Sequence, residues 1–105
     1  MTTQTEVLLQ EIKLATDFQV NKRILKEKIS TDLHFAYNNG LFKCSVELIS
    51  FLSSWDDQEL VLPDSYENPI KVNRIELLTL AKMHYQKVMN SWLDEYDRLK
   101  KIRKI

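Results

Sequence analysis

Very little in this sequence can bend or cross-link a chain. It holds one glycine, Gly40, and two prolines, Pro63 and Pro69, so most of its length lacks turn punctuation. Long uninterrupted helices are the expected consequence. A glycine-rich phosphate loop is excluded by the single glycine. Cys44 is the only cysteine, which rules out an intramolecular disulfide and with it a disulfide-stapled secreted scaffold. The opening run Met1-Thr2-Thr3-Gln4-Thr5-Glu6 has neither the basic nor the apolar region of a signal peptide. A cytoplasmic location is expected. No apolar stretch approaches the roughly 20 residues a membrane-spanning helix needs, so no membrane partner is expected.

Parts for chemistry are also scarce. His34 and His84 stand apart, and neither shows metal-ligand spacing to Cys44 or to the other. A nucleophilic pairing of Cys44 with either histidine is compatible with the spacing, but a lone cysteine among apolar residues reads as a core filler. The acids Asp56, Asp57, Glu59, Asp64 and Glu67 lack the alternation and central glycine of a calcium loop and read as a solvated acidic connection. No catalytic residue, metal or cofactor is expected, and the protein reads as non-enzymatic.

What is present is apolar surface. With 44% hydrophobic and 29% charged residues, 105 residues suffice for one domain with a real core. Thr3-Gln4-Thr5-Glu6 fits a capping box. Beyond it Val7, Leu14, Phe18, Leu25, Ile29 and Ala36 share one stripe at helical spacing, widened by Leu8, Ala15 and Leu33. A helix running from about Gln4 to about Asn38 is the preferred reading, with Gly40 as a left-handed stop. A second reading competes for its end. Leu33, Phe35 and Tyr37 alternate ahead of Asn39-Gly40, a hairpin signal, which would pair His34–Tyr37 with Leu41–Cys44 and break the helix at Ser30-Thr31-Asp32.

Ser45 caps a short helix that ends near Ser53-Ser54. Glu59–Leu62 and Ile70–Val72 read as strands around the Pro63–Pro69 loop. Asn73 caps the last helix, Ile75 to Ile102, about 42 Å long at 1.5 Å per residue. With Leu78 at heptad position a, the a/d positions are Leu78, Ala81, Tyr85, Val88, Trp92, Glu95, Leu99 and Ile102, all apolar but Glu95. The fold class expected is mainly α: two long antiparallel helices, a short helix and one small β-hairpin.

Leu77, Leu80 and Met83 fall outside that stripe, and a helix apolar on more than one side needs more than one neighbour. The expected function is therefore interaction or assembly through helix-mediated self-association or partner binding, with a homo-oligomer, a dimer in the first place, as the natural form. The candidate interface residues are Leu77, Leu80, Trp92 and Tyr96, with Trp55 either a core lid or an exposed anchor. The alternative is a small nucleic-acid-binding protein. Net charge is zero, but residues 74–105 carry eight bases against four acids, and Arg98, Lys100, Lys101, Arg103 and Lys104 crowd the end. Such a tail can neutralise phosphates, whereas the plainer explanation is that bases complement a helix C-terminus.

The run Leu62-Pro63-Asp64-Ser65-Tyr66-Glu67-Asn68-Pro69-Ile70-Lys71-Val72-Asn73-Arg74, followed by a long helix bearing Tyr and Trp, resembles small uncharacterised proteins of tailed phages, notably the T4-type phages of cyanobacteria. The stretch Phe35-Ala36-Tyr37-Asn38-Asn39-Gly40-Leu41-Phe42 adds to the resemblance. These motifs are turn and capping chemistry, so no catalytic residue is carried over. The resemblance implies expression in a bacterial cytoplasm and a role in virion assembly or host takeover.

Overall fold

A computed structural model describes residues 3–103. Its elements run α1 (Gln4–Asp32), β1 (His34–Tyr37), β2 (Gly40–Lys43), α2 (Val46–Ser54), β3 (Glu59–Pro63), β4 (Pro69–Asn73) and α3 (Arg74–Arg103). The molecule is a rod of 70 × 22 × 20 Å. It is mainly helical, with two long antiparallel helices, a short helix and two antiparallel hairpins where the sequence suggested one.

The helix starts follow capping chemistry. Thr3 and Glu6 close a reciprocal box at the start of α1, the Ser45 hydroxyl accepts from the Leu48 N–H at 3.1 Å, and Asn73 Oδ1 accepts from the Glu76 N–H at 3.0 Å. The preferred reading of an unbroken first helix is wrong at its end. α1 stops at Asp32, and β1 pairs with β2 in the register Phe35↔Phe42 and Tyr37↔Gly40. The turn residues are Asn38 and Asn39, with φ of 50° and 65°, both in the left-handed region that asparagine tolerates and a tight hairpin turn requires. Gly40 is not the left-handed residue. It is needed for space: a Cβ there would lie 2.7 Å from Ile70 Cγ1. The hairpin prevails because it collects Phe35, Tyr37 and Phe42 on one core, whereas a continued helix would carry those rings away from it.

Two regions result. In the head, Tyr37, Phe42, Leu52, Val72 and Leu77 form one buried cluster drawn from both hairpins, α2 and the first turns of α3. Burying such side chains is worth about 1.5–3 kcal/mol each. In the stalk, α1 and the later part of α3 enclose Leu25, Ile29 and Val88. Lys28 Nζ meets Glu95 Oε1 at 2.7 Å along this seam, which pairs the one polar a/d residue and raises the Lys28 pKa through that hydrogen bond and charge. His84 Nε2 lies 2.6 Å from the Asp32 carbonyl, so it acts as the donor and closes the C-terminus of α1.

Asp64 corrects the reading of a solvated acidic loop. Its carboxylate is buried and accepts three backbone N–H bonds, from Leu41 at 3.1 Å, Tyr66 at 3.0 Å and Asn68 at 2.9 Å. The Ser65 N–H donates to the Leu41 carbonyl beside it, at 2.7 Å. One side chain thus shapes the β3–β4 loop and ties it to β2. The Asn68 N–H, then Leu41 and Tyr66, hold its carboxyl below the usual carboxylate range against the opposing effect of burial.

Candidate interaction surface

Two packed helices bury only the seam between them and leave two open flanks. The flanks of this stalk differ in chemistry. On one, Asn21, Lys28, Glu95 and Arg98 surround Ile24 and Leu99 with charge and hydrogen-bonding groups. On the other, Met89, Trp92, Leu93 and Tyr96 of α3 face Lys22 and Lys26 of α1 across a groove of about 310 Å³. Leu93 is 59% exposed and Trp92 36%. Among the described residues the two lysines are the only charged groups lining this groove, and their methylene stems can cover apolar surface while the ammonium heads reach water.

The floor is held from within. The Tyr96 ring lies 6.4 Å from that of Phe18, and Lys100 Nζ sits over it, 5.1 Å from its centroid, while pairing with Asp97 at 3.2 Å. Asp97 therefore pairs one turn away with Lys100, not with Lys101 at i,i+4. Tyr96 is held in place and Trp92 remains open beside it.

The structure separates the candidate interface residues. Trp92 and Tyr96 share the groove, and Leu80 is exposed. Twelve residues place Leu80 about 18 Å along α3 from Trp92 and about 120° around it, on another face. Leu77 is fully buried in the head core and cannot be an interface residue. The short helix and the hairpins cover that side of α3. Trp55 is exposed and not a core lid: it stacks on Phe51 at 5.2 Å at the end of α2, remote from the groove in the fold. Lys22, Lys26 and Leu93 were not singled out from the sequence. Their signal was the row Leu8, Ile12, Ala15, Gln19, Lys22, Lys26, which keeps spacings of four and three along one face of α1.

Among the described bases of the tail, Lys100 meets an aromatic ring, that of Tyr96. Arg98 lines the polar flank and Lys100 is engaged on Tyr96 and Asp97, while Lys101 is exposed. Arg103 ends α3, its side chain lies outside what is described, and Lys104 lies outside the described residues. No family model, curated protein or solved structure matches the chain.

Cys44 is a core residue. It is fully buried, its thiol donates to the Leu33 carbonyl at 2.9 Å rather than meeting a histidine, and burial raises its pKa. Among the described residues no group of three or more His, Cys, Asp or Glu is gathered to hold a metal, and no helix is long and apolar enough to cross a membrane.

Proposed function

We propose that this protein is a non-enzymatic interaction or assembly module that works by association through the apolar flank of its helical stalk. The observation that supports the reading is the groove between Lys22, Lys26 and the Met89–Tyr96 stretch, whose open side presents Trp92 and Leu93 to solvent. Exposed apolar surface of this kind on an ordered scaffold marks a docking site. An accessory or assembly role in a phage-infected bacterial cytoplasm, suggested by the sequence resemblance, fits a module of this type.

Absolute mass by light scattering after gel filtration tests it, at about 50 mM and about 500 mM salt. A species of at least twice the 12.5 kDa chain mass that persists at high salt is expected, because apolar association is not screened. A particle of one chain mass at both salts, with Leu93→Ser changing nothing in a partner screen, would refute the reading.

A further inference from the structure

We infer that the occupant of the groove is the first three turns of α1 from a second copy of the chain, seated antiparallel so that each copy gives one segment and receives one. This rests on the proposed association, and it names the partner and the geometry.

Among the described residues the stalk helices are not matched in extent. Phe18 sits against Tyr96, Lys28 against Glu95 and Asp32 against His84, so α1 rises as α3 falls. Counting from Phe18 and Tyr96, Arg103 reaches the level of about residue 11. The residues before it extend past the end of the described part of α3. Every residue from Thr3 to Lys13 is exposed, including Val7, Leu8, Leu9 and Ile12. Val7 continues the seam stripe of Phe18 and Leu25 and is exposed. A helical stretch of this length is marginal in water by itself, and an apolar neighbour is what stabilises one.

Groove and overhang fit each other on three counts. Leu8, Ile12 and Ala15 occupy the same face of α1 as Lys22 and Lys26, so turning a second copy end over end about an axis parallel to that face and perpendicular to the helices brings its overhang onto the groove. Leu8 to Ala15 and Met89 to Tyr96 each span seven residue steps, about 10 Å of helix. The charges are complementary: residues 4–12 carry Glu6 and Glu11 and no base, whereas the groove is lined by two lysines and no acid. Glu11 lies one turn from both Leu8 and Ala15, at the edge of the apolar face, where it would meet the partner lysines. In this two-fold seating each copy gives its overhang to the copy whose overhang it receives, so the contact is isologous and closes at two copies.

The test uses the full chain. Leu8→Glu with Ile12→Glu alters only exposed positions and is expected to convert the dimer to monomer while the circular dichroism of the folded head is kept. Glu11→Lys alone, and Lys22→Glu with Lys26→Glu alone, should each weaken the dimer about tenfold at low salt, since like charges then oppose. Mixed together, the two charge variants should pair with each other and recover wild-type affinity, because both contacts of the mixed dimer regain opposite charges. A dimer that survives the Leu8/Ile12 change, or charge variants that do not rescue one another, would overturn this geometry while leaving self-association standing. A wild-type chain monomeric at millimolar concentration would remove both.

Discussion

The head and the stalk share α3 and use it in opposite ways. Around Leu77 and Ala81 the inner side of the helix is covered: α2 packs on it, the β3–β4 hairpin leads into it, and both side chains are fully buried. From Met89 onward it has α1 on one side and solvent on the flank. The head is closed because its elements are short and the chain turns back repeatedly. Two hairpins and a three-turn helix bring side chains from many directions to one cluster. The stalk has only two directions to offer, so apolar side chains beyond the seam stay exposed. A small chain can therefore gather a core from many directions at one end and only a two-helix seam at the other.

If the head is closed, damage there should be global. Leu77→Ala is expected to cost about 2–5 kcal/mol, read as a lower urea midpoint, since a fully buried leucine leaves a cavity. Leu77→Glu should prevent folding altogether. Gly40→Ala comes next, at about 1–3 kcal/mol, because its Cβ would press on Ile70 across the two hairpins. A wild-type midpoint for Leu77→Ala would mean that α3 is not enclosed by the head, and the contrast between the regions would fail.

Asp64 gives the head a pH signature that the stalk flank lacks. Its folded pKa is depressed, chiefly by the Asn68 N–H, so it binds a proton less readily folded than unfolded. The stability it contributes is complete above the unfolded aspartate value of about 3.9 and is lost as pH falls through the folded value. Wild type should therefore exceed Asp64→Asn in denaturant midpoint at neutral pH, and the gap should narrow in acid. A gap that widened below pH 4 would contradict the hydrogen bonding seen at this carboxylate.

Much of the fold was legible in the sequence, and the failures are instructive. Helix starts at Thr3, Ser45 and Asn73 were plain because capping is a local interaction among neighbouring residues. The β3–β4 hairpin was plain because prolines frame it. The end of α1 was misjudged because helix and hairpin both suit residues 33–37 locally, and the deciding contacts come from Phe42 and Ile70 later in the chain. Leu77 was taken for a docking residue because heptad position shows which face a residue occupies and not what covers it. Asp64 passed for a loop acid because two of its three donors are local but the third, Leu41, is 23 residues away. The groove needed the antiparallel register of α1 on α3, which no single helix pattern reveals.

The smallest effect on stability should come from Leu93, and it tests the stalk most directly. Leu93 is more than half exposed and lines the groove without belonging to either buried cluster. At concentrations low enough to keep single chains, Leu93→Ser should change the unfolding free energy by no more than about 0.5 kcal/mol, as exposed substitutions do. At higher concentration the same change should lower the associated fraction, because the side chain is then covered by the second copy. Stability and association would thus separate at one residue. A loss of well over 1 kcal/mol in the isolated chain would put Leu93 in the core, and the stalk flank would then be a finished surface like the head.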